Sequence, residues 1–292
     1  MKTKQRMRLC GLIAAVVMIS LSWPPGPYHQ SALSPAYAED DSFTVEVART
    51  ASATPSPEVE NAAETMLQVE IIRETAPPPA YAGKRVLIYH THTYEAYEQT
   101  EGKTYVQTEK WRTADNDNNV VAVGKALTAS LQALGIEVVH DTTAFEPPTM
   151  DDAYERSLAM LERRRANGET YDMYIDLHRD AIASLSTIKR TVQISGEDVA
   201  RFMVLVGKGT TGGYAEKPDW EANLVIAQSI TDSLNAQCAN LARDVKVKTG
   251  RFNQHIANCC ILIECGMNTN TLDEVLAGVP YLAQAIAEAL AE

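Results

Sequence analysis

The sequence predicts an α/β domain of three layers, αβα, with a mostly parallel central sheet. Two observations lead there. From about residue 83 onward, short apolar runs that read as strands alternate with longer stretches of helical periodicity. Three of those runs end in polar chemistry: Arg85-Val-Leu-Ile-Tyr-His90-Thr-His92, Met173-Tyr-Ile-Asp-Leu-His178-Arg-Asp180 and Cys260-Ile-Leu-Ile-Glu264-Cys-Gly-Met-Asn268. In open α/β sheets ligands bind in the crevice beyond the carboxyl ends of parallel strands, so three such ends, distant in sequence, can share one site.

The elements follow in order. Residues 84–90 form the first strand. Residues 118–134 form a helix, with Val120, Val121, Val123, Leu127, Leu131 and Leu134 near helical spacing and Gly135 ending it. Residues 136–140 are the second strand, and 151–165 a helix carrying Leu158 and Leu161 on its apolar face. The third strand spans 171–178. Residues 191–194 and 201–206 read as two more strands, a hairpin around Gly196-Glu-Asp198. Residues 220–243 read as one long helix, 245–248 as a short strand and 259–264 as the last strand. Thr271-Leu-Asp-Glu274 has the form of a capping box and opens a final helix that runs to Leu290.

Two segments precede this domain. Residues 1–38 read as a signal peptide or an N-terminal membrane anchor: Lys2, Lys4, Arg6 and Arg8 precede an apolar stretch over 9–23. Ala36-Tyr-Ala38 has the form of a cleavage site, and cleavage and retention are both open. Either way the positive end stays inside and the rest is exported. Residues 39–82 read as a disordered linker, rich in Ala, Pro, Glu and Thr, with nine acids against Arg49 and Arg73. Within it, 65–73 could lie on the domain as a short strand or helix.

The formal net charge of -12 argues against a nucleic-acid-binding face. The five cysteines, Cys10, Cys238, Cys259, Cys260 and Cys265, contain no Cys-x-x-Cys pair, so a zinc knuckle or redox motif is unsupported. They read as buried thiols.

The chemistry gathers at the three strand ends. His and carboxylate converging in a crevice point to a divalent metal, zinc before others. On an extended strand end His90 and His92 project from one face and Thr91 from the other. His92, the more terminal, is the better ligand; His90 orients it or is itself the ligand. Glu95 adds a carboxylate if the chain turns. His178 has Asp176 and Asp180 within reach to fix its tautomer, and Arg179 is placed for a substrate carboxylate or carbonyl. Glu264 is costly to bury unless paired or functional, and beside an activated water it is the general base. Asn268 supports the site or binds substrate, or only caps the next helix, His255 lies in a loop as a substrate contact or a solvated residue, and His140 is structural.

Taken together, Tyr89-His-Thr-His92 with Glu95, Thr113-Ala-Asp-Asn116 through Gly124, Asp141-Thr-Thr143, Asp176-Leu-His-Arg-Asp180, Asn253-Gln-His255 and Leu262-Ile-Glu-Cys-Gly266 with Asn268-Thr-Asn270 resemble the stage II sporulation protein P family, over residues 83–292. The resemblance implies a fold related to zinc-dependent N-acetylmuramoyl-L-alanine amidases. It implies cleavage of the amide between muramic acid and L-alanine in peptidoglycan, with added endopeptidase activity on the stem peptides. The setting is forespore engulfment, with the stage II sporulation proteins D and M as partners. By position, His92 and His178 match the metal histidines of the amidases and Glu264 their catalytic glutamate. The amidases' third ligand, a glutamate, falls here near Asn116, and Glu95 is the substitute. Two rivals remain: a non-catalytic peptidoglycan-binding scaffold, and a phosphoester hydrolase, disfavoured by the acidic charge.

Overall fold

The structure is a computed structural model that describes residues 79–182 and 187–292. The expected targeting segment, most of the linker and the 65–73 element lie outside the described residues. Among the described residues, no helix is long and apolar enough to cross a membrane.

Among the described residues, eight strands and five α-helices follow one another. They are β1 (Arg85–Tyr89), α1 (Val120–Ala133), β2 (Glu137–His140), α2 (Ala153–Ala166), β3 (Met173–Asp180), β4 (Thr191–Ile194), β5 (Glu197–Ala200), β6 (Phe202–Gly207), α3 (Trp220–Gln237), β7 (Lys246–Lys248), β8 (Cys260–Met267), α4 (Leu272–Leu276) and α5 (Val279–Ala291). Six strands form the main sheet in the order β2-β1-β3-β8-β6-β7. β1, β2, β3 and β8 run parallel, β6 runs antiparallel to β8, and β7 follows β6. The sheet is therefore mostly parallel and the fold α/β.

Alternate residues of each central strand feed two cores. Val86, Ile88, Ile175, Leu177, Ile261 and Ile263 pack with residues of α1, α3 and α5 in one cluster. Leu87, Tyr89, Tyr174 and Cys260 pack with Ala153, Met160 and Leu161 of α2 in the other. The chain leaves β1 toward β2 through α1, then crosses back to β3 through α2. Right-handed crossovers in opposite directions place their helices on opposite faces. The switch point lies between β1 and β3, where such sheets open a crevice.

Four expectations need correction. β3 and β8 do not stop at His178 and Glu264 but run on to Asp180 and Met267. The hairpin pairs β4 with a separate strand, β5, through Ser195-Gly196, where both residues have positive φ (52° and 88°), as a tight two-residue turn requires. Residues 202–207 belong instead to the main sheet. The long helix ends at Gln237, because the Phe202 N–H donates to Leu241 O and the Arg243 N–H to Phe202 O, drawing residues 241–243 onto β6. The last helix is two helices. Pro280 cannot occupy a helix interior, and Gly278 lies so close to Phe202 that a Cβ would meet the ring at 2.7 Å.

Candidate active site

Residues 91–94 turn sharply after β1. That turn separates the two histidines that an extended strand would align. His90 stays on the α1 face, fully buried, with Nδ1 2.9 Å from Leu177 O and Nε2 2.8 Å from His140 Nε2. Burial and the neighbouring imidazole push His90 down to about 3, and burial pushes His140 down to about 4. The pair is neutral, one ring donating to the other. His92 turns to the α2 face, where its ring centre lies 5.3 Å from that of His178.

On that face the strand ends build a constellation. Asp176 of β3 accepts from the Thr91 N–H (2.8 Å) and hydroxyl (2.6 Å), which fixes its carboxylate. Its Oδ1 is 2.9 Å from His178 Nε2. The other imidazole nitrogen, Nδ1, lies 3.3 Å from Glu95 Oε2. Of the two aspartates within reach of His178 in sequence, Asp176 is the one beside the ring. Asp180 instead accepts from Arg243 Nη1 at 2.8 Å. Burial opposes charge on His178, but Asp176 and Glu95 outweigh it and hold the imidazole well above its usual range. Burial likewise opposes charge on Glu95, and His178 and Arg179 still pull it down to about 2.

Glu264 sits directly across from His178 in the β3–β8 register. Its Oε2 is sealed from solvent with no hydrogen-bond partner among the described residues. Burial, with Glu95 and Asp180 adding to it, pushes the carboxyl up to about 8 against the pull of His178 and Lys248. A carboxyl in that range takes and returns protons near neutral pH.

The remaining candidates do other work. The Arg179 N–H donates to Glu95 Oε2 (3.0 Å), and its guanidinium donates to the carbonyls of Ala96 (3.0 Å) and Trp111 (3.1 Å). It braces the loop after β1. Asn116 is exposed and accepts from Asn119 Nδ2, away from the constellation. Asn268 exchanges two hydrogen bonds with the Ile182 backbone, tying the end of β3 to the end of β8. His255 lies in a short 3-10 turn (Gln254–Ile256), and its charged neighbours are Arg251, Glu216, Glu162 and Arg165, none of them in the site.

Sequence reasoning missed two site residues. Glu146 is 4% exposed, lies 3.2 Å from His92 Nδ1 and pairs with Arg112. It belongs to the loop after β2, where nothing in Phe145-Glu146-Pro147-Pro148 marks it. Tyr154, in the first turn of α2, has its ring 5.4 Å from that of His92 and 6.5 Å from that of His178. A lone tyrosine in a helix gives no signal. His92 thus has a carboxylate beside one ring nitrogen and His178 a carboxylate beside each, and such carboxylates orient metal-binding imidazoles.

Three solved structures illustrate what the chain is similar to. An N-acetylmuramoyl-L-alanine amidase from Clostridium difficile 630 aligns at 15% identity and a TM-score of 0.45, over 71% of this chain and 94% of that one. The CwlD amidase from Clostridioides difficile, solved in complex with the GerS lipoprotein, aligns at 15% and 0.44, over 71% and 96%. The amidase AmiC2 of Nostoc punctiforme aligns at 15% and 0.41, over 72% and 96%. No curated protein matches the chain. The family model described as Stage II sporulation protein P (SpoIIP) matches residues 30–287, well over half the chain, and the chain belongs to the stage II sporulation protein P family.

Proposed function

We propose that the chain is a zinc-dependent peptidoglycan hydrolase of sporulation that cleaves the amide between N-acetylmuramic acid and the L-alanine of the stem peptide. The observation that carries this reading is Glu264: a buried carboxyl raised to about 8, directly across the strand register from a histidine held between two carboxylates. Family membership supplies the substrate class.

The donor set suits zinc in kind, since imidazole and carboxylate are its usual ligands. The 3.3 Å between His178 Nδ1 and Glu95 Oε2 suits it in place. Two ligands at about 2.0–2.1 Å on a tetrahedral ion stand about 3.3 Å apart. Among the described residues no group of three His, Cys, Asp or Glu side chains stands ready to hold an ion. We assign the third place to His92, whose ring centre lies 5.3 Å from that of His178. A bound zinc would supply Lewis acidity toward the amide carbonyl and the attacking water.

The chain's own residues supply the rest. Asp176 and Glu146 orient His178 and His92. Glu264 takes the proton from the attacking water and delivers it to the departing nitrogen. Endopeptidase cleavage of stem-peptide cross-links by the same groups, action outside the cytoplasmic membrane, anchoring through residues 1–38, and engulfment alongside the stage II sporulation proteins D and M all belong to this proposal. A scaffold that only binds peptidoglycan has no use for a proton-exchanging carboxyl at the floor of its crevice.

The test is digestion of purified peptidoglycan by the chain, with fragments identified by mass. Wild type releases stem peptides with free L-alanine N-termini, and chelator stops it. Glu264→Gln lowers the rate by about 10²–10⁴-fold while leaving the fold intact. Wall binding without release, with zinc supplied, would favour the scaffold.

A further inference from the structure

Tyr154 is not accounted for by the groups that the proposed reaction already uses. Its ring meets three others: His92 edge-on at 5.4 Å, Phe252 edge-on at 5.9 Å, and His178 nearly parallel, at 12° and 6.5 Å between centres. Its backbone is pinned as well. Tyr154 O accepts from Asn253 Nδ2 at 2.8 Å. Ser157, one turn later on α2, is 2.9 Å from the Thr91 hydroxyl that holds Asp176. The ring is therefore fixed to the same network that orients His178.

The hydroxyl, by contrast, has no hydrogen-bond partner among the described residues, yet it is not among the polar atoms sealed from solvent. A half-buried tyrosine usually places its O–H on a partner. Here the charges that act on the phenol are those of Asp176, Glu95 and Glu264, the carboxylates contributed by β3, the loop after β1, and β8. An O–H on a ring held in place, not sealed from solvent, under the charges of these three carboxylates and unengaged by the described residues, is a preorganised donor.

We infer that Tyr154 is a further catalytic residue, whose hydroxyl donates a hydrogen bond to the scissile carbonyl oxygen as it gains negative charge in the tetrahedral transition state. The inference rests on the hydrolase reading above. Water attack converts the planar carbonyl to an oxyanion, and the Tyr154 O–H stays bonded to its own oxygen throughout, so no proton leaves it. Glu264 handles the proton that moves from water to nitrogen. The two groups thus divide the reacting amide, the oxygen to Tyr154 and the water and nitrogen to Glu264.

Steady-state hydrolysis of a soluble muramyl-peptide by the zinc-supplied chain tests this with Tyr154→Phe and Tyr154→Leu. The Phe variant keeps every ring contact and loses only the O–H. It is expected to lower kcat about 100-fold, with KM and bound zinc close to wild type. Full kcat in the Phe variant, with loss only in the Leu variant, would reduce Tyr154 to a packing residue and overturn the inference. A Phe variant that loses zinc in proportion to activity would overturn it equally, since the effect would then run through His92 and His178. If wild type itself releases no peptide, the hydrolase reading falls and takes this inference with it.

Discussion

A Cβ at Gly124 would come within 2.5 Å of His140 Nε2 and 2.7 Å of His90 Nε2. This one hydrogen-sized gap lets α1 close over the two histidines on the face opposite the crevice. Gly124→Ala is expected to destabilise the fold by about 1–3 kcal/mol, the usual cost of overpacking, in spite of alanine's better helix propensity. A denaturant titration with an unchanged m-value checks it. The same locus shows where residue-level reading reached its limit. The residue types His90, His92, Glu95, His178 and Glu264 were legible as chemistry because polar groups after apolar runs are costly without a purpose. That His90 and His92 part company was not legible, because it depends on the turn at 91–94 rather than on strand alternation. Glu146 was invisible for a related reason: its partners, His92 and Arg112, lie far from it in sequence.

At the level of elements, Asp141 anchors the end of β2 to α2. Its backbone N–H donates to Ile88 O at 2.8 Å and its carboxylate accepts from Arg164 Nη2 at 2.7 Å. Burial opposes the charge, but Arg164 and the Thr143 N–H and hydroxyl hold the carboxyl below its ordinary value of 3.8. A folded pKa below the unfolded one contributes stability that is complete above the unfolded value and is lost as pH falls through the folded one. Asp141→Asn is therefore expected to cost about 1–3 kcal/mol near neutral pH. Thermal melts of the two proteins should draw together as pH falls below 3.8 and meet below the depressed folded value, where folded wild type loses the same charge. A gap that persists unchanged to low pH would show that the charge is not what stabilises the corner.

Element boundaries were legible where local signals set them and not where the sheet did. The Thr271 capping box is present as read, with Thr271 Oγ1 accepting from the Glu274 N–H at 3.2 Å and Glu274 Oε2 from the Thr271 N–H at 3.0 Å. The end of α3 was misplaced, because residues 241–243 pair with β6, a partner that helical periodicity cannot reveal. The break before α5 did have a local signal, Gly278-Val-Pro280, which the continuous apolar pattern masked.

For the molecule as a whole, alternation of strands and helices was enough to read the class, and the three polar strand ends belong to strands that the sheet sets side by side. The strand order was not in the pattern. Only β2-β1-β3-β8 explains why His178 and Glu264 become direct neighbours, with the turn after β1 beside them, at the switch point where helices of opposite faces part. The antiparallel β6 beside β8 departs from the simple alternating scheme and sets Met203 opposite Glu264.

The proposed function turns on one zinc ion held by His92, His178 and Glu95. Calorimetric zinc titration of the purified chain measures that site. One ion per chain is expected, abolished by His178→Ala and by Glu95→Gln. Glu146→Gln, which leaves the ligands in place but loosens His92, should weaken binding by about 10–100-fold. Zinc that binds equally well to all of these variants, or does not bind to wild type at all, would contradict it.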